Sequence, residues 1–258
     1  MLLNKDRAYE IMDKYKLDGL VAKEAINVYY LTDYWDLFSS GGWVFNSYAV
    51  LPRKINSPAG LVINAAINLE RLTEVTPTWV PNIVMFSDYS GRDTDLKNRN
   101  NDNNEPVAAE WSGWPVRKGA SLTPLEQTWD ERAKRHSDKM AATPAWGLKR
   151  IIEDAGLNKG RLGTDDPRVL HWMKEMGLPH IEVVEATNIF REIRMIKSEQ
   201  ELKLMKTAAE INELGVEKAI SSIREGIKWK EIERAYFTEV SKNGGSGRYI
   251  VTTLGGLP

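Results

Sequence analysis

Ala8, Ile11, Met12 and Tyr15 recur at i, i+3, i+4, i+7 and predict an amphipathic helix over about 4–16, which Asp18-Gly19 breaks. Short apolar runs follow at Leu20–Ala22, Val28–Leu31, Tyr48–Leu51, Leu61–Ile63 and Ile83–Phe86. Their length and their Val, Ile and Tyr content predict strands, several buried on both faces. Helical patterns intervene, for example at Leu69–Val75. The alternation predicts an α/β fold with a sheet covered by helices.

From Asp88 to Glu105 the periodicity disappears, and NRNNDNNEP has too few apolar groups to pack, so it reads as a mobile loop or insertion. WSGWP (111–115) reads as irregular chain. Thr123-Pro124 and Thr143-Pro144 each place a capping hydroxyl before a proline suited to the first helical position. Leu125, Trp129 and Ala133 line one face of the first of these helices; Leu148, Ile151, Ile152 and Ala155 line the second, which Gly156 ends. GRLGTDD (160–166), a helix opened by Asp166-Pro167 with Leu170, Met173 and Met176, and a strand at Ile181–Val184 resume the βα pattern.

After about residue 186 two long amphipathic helices are predicted. Ser198 and Glu201 form a capping box, and Leu202, Met205, Ala209, Val216, Ala219, Ile220 and Ile223 a stripe that Gly226 ends. The second helix spans about Trp229–Lys242, with Ile232, Ala235, Tyr236 and Val240 on one face and Gly244-Gly245 after it. The closing run SGRYIVTTLGGLP reads as a strand without neighbours, expected to be poorly paired or paired with another chain over Tyr249–Leu254. Two helices and a strand are too little to close a core alone.

Composition narrows the class. Apolar residues make up 42% and charged residues 28% of the 258, and the net charge of −1 gives no general attraction for nucleic acid or anionic membrane. No cysteine is present, which excludes disulfides and thiolate metal sites; reducing cytoplasm is the default. Charges at Lys5, Asp6 and Arg7 interrupt any signal-peptide core, and no membrane-spanning apolar run occurs.

No complete catalytic set is legible. His136, His171 and His180 lack paired metal spacing, and the glycine pairs at 41–42, 244–245 and 255–256 lack phosphate-loop context. Asp165-Asp166 suits either acid–base or metal chemistry or, just before Pro167, a helix cap; the cap is the better reading. The charged run DERAKRHSDK (130–139) alternates in sign and reads as a solvated helix face. Two loops are candidate binding surfaces: TDYWDLFSSGGW (32–43), where aromatic and acidic residues crowd a loop expected to follow a strand, and WSGWP.

FREIRMIKSEQELKLMKTAAEI (190–211) resembles the segment that opens the catalytic domain of the creatinase/prolidase/aminopeptidase P family, through Arg194, Lys197, Ser198, Glu201 and Ala208-Ala209. REGIKWKEIE (224–233) is similar to that family's link between its first two helices, and NGG (243–245) to the helix end that follows. LDGLVAKEAINVYYLTDY (17–34) resembles its N-terminal-domain signature of a strand, an Asn and a Tyr-Leu-Thr strand, and GRLGTDD its later Gly-x-Leu-Gly-x-Asp. Residues 98–146 depart from the pattern and read as an insertion.

The resemblance implies a mixed-sheet, ribonuclease H-like N-terminal domain over 1–186 and a partial α+β pita-bread domain over 187–258. It implies a hydrolase that cleaves Xaa-Pro peptides, with a small-molecule C–N hydrolase or lyase, or a peptide-binding pseudo-peptidase, as alternatives. Two divalent metals (Mn, Co or Zn) are expected in a complete member, held by carboxylates and imidazole. The resemblance places those ligands beyond Pro258, so no catalytic or metal residue is assigned, and the chain alone is expected to be inert. It further implies a homodimer in which Tyr34, Trp35 and Asp36 approach a peptide or small-molecule substrate of the partner.

Overall fold

The computed structural model describes residues 1–35, 47–64, 78–86, 105, 119–137, 140–247 and 250. They divide into two compact units, Met1–Ile196 and Lys197–Pro258.

The first unit is built on six strands: β1 (Gly19–Ala22), β2 (Tyr48–Pro52), β3 (Gly60–Asn64), β4 (Asn82–Phe86), β5 (Gly160–Thr164) and β6 (Ile181–Glu185). Their order across the sheet is β4-β3-β2-β1-β5-β6. β2 runs antiparallel to β1 and β3, and the other pairings are parallel, so five strands point one way. Apolar residues alternate between two buried faces. Leu20, Ala22, Ala49, Leu51, Leu61, Ile63 and Met85 enter one core, and Val21, Tyr48, Val50, Val62, Val84 and Phe86 the other. Period-2 side chains buried on both sides explain why these strands read as unbroken apolar runs.

The first core is closed by α1 (Lys5–Lys14), α2 (Ala25–Thr32) and, after three further helices, Thr187–Met195. The second is closed by Pro144–Asp154 and Arg168–Glu175. In chain order the helices after α2 are α3 (Pro124–Ser137), α4 (Pro144–Asp154), α5 (Arg168–Glu175) and α6 (Thr187–Met195). Thr143 caps α4 by accepting a bond from Trp146 N, and Leu148, Ile151 and Ile152 are fully buried beneath it. On β3 a Cβ at Gly60 would overlap the Cγ2 of Ile151, so only glycine permits so close an approach of α4.

Two expectations are corrected. Val28–Leu31 is not a strand: it lies inside α2, where Asn27, Val28, Tyr30, Leu31 and Thr32 are all buried. A helix buried nearly all round loses its 3.6-residue signal, and a short apolar run cannot then be told from a strand. The helix α6 belongs to the first unit, through Ile189, Phe190 and Ile193, although the sequence reading opened the second domain at 187. The helix read at Leu69–Val75, the Asn-rich stretch, WSGWP and the strand at Tyr249–Leu254 lie outside the described residues.

Of the region read as an insertion, Glu105 is fastened to α4. Its carboxylate accepts from Ala142 N (2.9 Å) and from Arg150 Nε (2.8 Å). Ala141 in turn donates to Met85 O at the end of β4 (2.7 Å), bridging that segment to the sheet.

The second unit pairs α7 (Glu199–Ser221) with α8 (Trp229–Lys242). The capping box at Ser198 and Glu201 is formed, with both reciprocal bonds present. Ala219, Ile232, Tyr236 and Val240 are buried between the helices, and Tyr236 Oη donates to Asn212 Oδ1 (2.6 Å). The expected α7 stripe divides. Ala219 packs on α8, whereas Leu202, Met205, Ile220 and Ile223 are each more than half exposed.

Candidate functional site

The segment 32–36, the sequence's choice for substrate contact, leaves the end of α2. Asp33 ends that helix in the left-handed region at φ 60°, and its carboxylate accepts from Leu2 N at 2.7 Å. Thr32 Oγ1 donates to Val28 O (2.7 Å) and accepts from Tyr34 N (3.1 Å), which fixes the turn. Tyr34 is fully buried in the first core, so its ring packs rather than faces a substrate. Trp35 is half-buried and stands edge-on to Tyr29, with ring centroids 5.1 Å apart. Asp36 lies outside the described residues. Of the two that are described, Tyr34 is buried and Trp35 is the more accessible.

The other polar gathering lies where β1 and β5 end. Asp165 grips the entry to α2, accepting from Lys23 N (2.7 Å), Glu24 N (3.1 Å) and Asn27 Nδ2 (2.7 Å). Burial nevertheless holds its carboxyl above the ordinary aspartate range, more than those bonds lower it. Asp166 sits beside it and does the opposite. Burial would raise it, but the Arg168 guanidinium and the Tyr48 hydroxyl outweigh that and hold it below the ordinary range. Tyr48 Oη donates to Asp166 Oδ2 at 2.5 Å, and Arg168 Nη2 reaches both that oxygen (2.8 Å) and Tyr48 Oη (3.0 Å). Burial, then Asp166, pushes the Tyr48 phenol far up, so it remains a donor. Trp172 completes the group, edge-on to Tyr48 and under the Arg168 guanidinium.

The cap reading of Asp165-Asp166 is corrected in detail: Pro167 is the N-cap of α5 and Glu24 that of α2, neither with a side-chain cap bond, and the two carboxylates instead brace the chain beside these helix starts. Asp166 accepts from Arg168 N at the start of α5 (3.1 Å), while Asp165 serves the other helix, α2. Both carboxylates are occupied by protein donors. Tyr48 was missed as the partner of Asp166, since nothing local marks a contact 118 residues away.

Among the described residues no group of three or more acidic, His or Cys side chains is placed to hold a metal ion. His171 is exposed and faces Glu175 on its own helix (3.0 Å), and His180 is exposed elsewhere. The residues described do not fit a two-metal centre.

The arrangement of sheet and helices recurs in solved structures. The recombinant prolidase of Thermococcus sibiricus matches over 95% of the chain with a TM-score of 0.56 at 16% identity. The chain carries the creatinase/prolidase fold. The Xaa-Pro dipeptidase of Bacillus anthracis (92% of the chain, TM-score 0.53, 13% identity) and the prolidase of Pyrococcus horikoshii OT3 (93%, TM-score 0.50, 17% identity) share it. The chain spans about half of each: 51%, 48% and 48% of their lengths. In sequence, 112 residues are 27% identical to the creatinase of Bacillus sp. (strain B-0618), 42% of this chain and 27% of that protein. No protein-family model matches. Among the described residues no helix is long and apolar enough to cross a membrane.

Proposed function

We propose that the complete protein is a prolidase or Xaa-Pro aminopeptidase-like hydrolase, dependent on two divalent metal ions (Mn, Co or Zn), and that this chain supplies its N-terminal domain and the opening helices of its catalytic domain. The observation that carries the reading is the likeness of 95% of the chain to one half of a prolidase. The exposed residues Leu202, Met205 and Ile220 of α7, with Ile223 just after it, support it, since a further part of the catalytic domain would bury them. In this reading the metal ligands lie in that further part, and the protein works as a homodimer. Assayed with an Xaa-Pro dipeptide, the 258-residue chain is expected to be inactive. The complete protein is expected to be active, to lose activity to a chelator and to regain it with divalent metal. Chelator-sensitive hydrolysis by the 258-residue chain itself would overturn the assignment.

Trp35 is the substrate-side residue this reading favours. In the complete dimer, Trp35→Ala is expected to raise KM severalfold while the melting temperature changes little, because the ring is only half-buried. A large fall in melting temperature with unchanged KM would make it a packing residue. The sequence likeness to creatinase favours a second reading, hydrolysis of a C–N bond in a small molecule. Activity on a small C–N substrate without turnover of Xaa-Pro dipeptides would select it.

A further inference from the structure

The end of α8 carries the one Asn-Gly dipeptide in the sequence, Asn243-Gly244. Glycine has no Cβ to shield its own backbone nitrogen, so an asparagine before it is open to attack along the chain. In that reaction the Gly244 nitrogen bonds to Asn243 Cγ, the Cγ–Nδ2 bond breaks, and ammonia leaves with the proton that the amide gave up. Water then opens the resulting cyclic imide to aspartate or isoaspartate. The balance needs water alone.

Asn243 is exposed, but the fold ties every atom the reaction must move. Its backbone rests at φ −94°, ψ 16°, in the bridge region at the C-cap of α8, and its own N–H still donates to Glu239 O and Val240 O (3.2 Å each). Gly244 N donates to Ser241 O (3.0 Å), and Gly245 N to Val240 O (2.9 Å), so the nucleophilic nitrogen is turned back onto the helix. Asn243 Nδ2, the leaving group, donates to Glu239 O (2.8 Å) and to Glu239 Oε1 (3.1 Å). Gly244 holds φ 80°, which closes the turn in the left-handed region.

We propose that Asn243-Gly244 is a deamidation site that the native end of α8 holds closed, and that its conversion unlatches that end. The product has no amide hydrogens for Glu239, and it places a new carboxylate against the Glu239 carboxylate. It also adds negative charge at a helix C-terminus, where the dipole opposes it. The reaction is therefore gated by local opening of α8 and favours further opening.

Peptide mapping by mass spectrometry on the intact chain tests this at neutral pH. Asn243 is expected to convert at least about tenfold faster in a denaturant that unfolds the chain than in native buffer, a gap of about 1.4 kcal/mol in opening. In native buffer Glu239→Ala is expected to raise the rate about fivefold, the equivalent of one lost hydrogen bond of about 1 kcal/mol, with no change in denaturant. Equal rates folded and unfolded, or no conversion even unfolded, would overturn the gated site. Asn243→Asp is expected to speed hydrogen exchange at the Gly244 and Gly245 amides; exchange as slow as in the parent chain would overturn the unlatching.

Discussion

Gly60→Ala is expected to lower the melting temperature of the first unit by roughly 5–10 °C, a loss of about 2–3 kcal/mol. Gly60 is buried, paired with Val50 on β2 and Asn82 on β4, and its missing side chain lies where the Ile151 Cγ2 of α4 sits. Ile151 is fully buried and Gly147 presents the same helix to Val62, so α4 lies close to the sheet at two points and cannot shift at one without disturbing the other. The added methyl group must push the helix off the sheet or force Ile151 from its rotamer. Ile151→Ala removes the obstructing atoms but leaves a cavity, costing about 2–4 kcal/mol by itself. The double variant is therefore expected to be more stable than the summed losses by about 1–2 kcal/mol. Strict additivity in thermal or denaturant melts would mean that the two residues do not meet.

The adjacent aspartates are expected to respond to acid in opposite senses. Asp166→Ala leaves the Tyr48 hydroxyl and part of Arg168 without an acceptor. Because Arg168 is 44% exposed, the cost is placed at about 2–3 kcal/mol, below that of a fully buried pair. The folded pKa of Asp166 is lowered below the 3.8 of a free aspartate. Its contribution is thus present above that value and lost as pH falls through the folded one. Asp165 is raised, so the folded state takes up its proton first. Its contribution grows as pH falls from that raised value to 3.8. In melts between neutral pH and about pH 3, Asp166→Asn is expected to flatten the acid loss and Asp165→Asn to steepen it. Profiles that change in the same sense would refute the opposed environments.

Much of the frame was readable because it depends on local rules. Alternating burial made β1, β2, β3 and β4 apolar runs, and Thr143-Pro144 with Leu148, Ile151 and Ile152 announced α4. Ser198 and Glu201 announced α7 in the same way. Failure came where the third dimension decided. Val28–Leu31 has one apolar pattern for two conformations, and only burial of α2 on most sides chose the helix. The α7 stripe was a sound reading of periodicity, but the face that meets α8 runs through Gly215 and Ala219, small residues that carry little hydropathy signal. At the candidate site, Trp35 was singled out from its neighbourhood in the chain alone. The Tyr48–Asp166 contact joins residues 118 apart and no spacing rule reaches it.

The position of β1 in the sheet sets a waiting time during synthesis. All four residues of β1 are buried, and the strand lies between β2, which is made soon after it, and β5, its neighbour on the other side. Roughly 140 residues separate Ala22 from Thr164, so at about 5–20 residues per second the open side of β1 stays unpaired on the ribosome for about 7–28 s. The entry to α2 waits as long, since the carboxylate that holds Lys23, Glu24 and Asn27 belongs to Asp165. An apolar strand with one bare edge for that interval is an invitation to pair with another nascent chain. Slow translation between residues 64 and 160 is therefore expected to cost this protein more in yield than the same delay elsewhere.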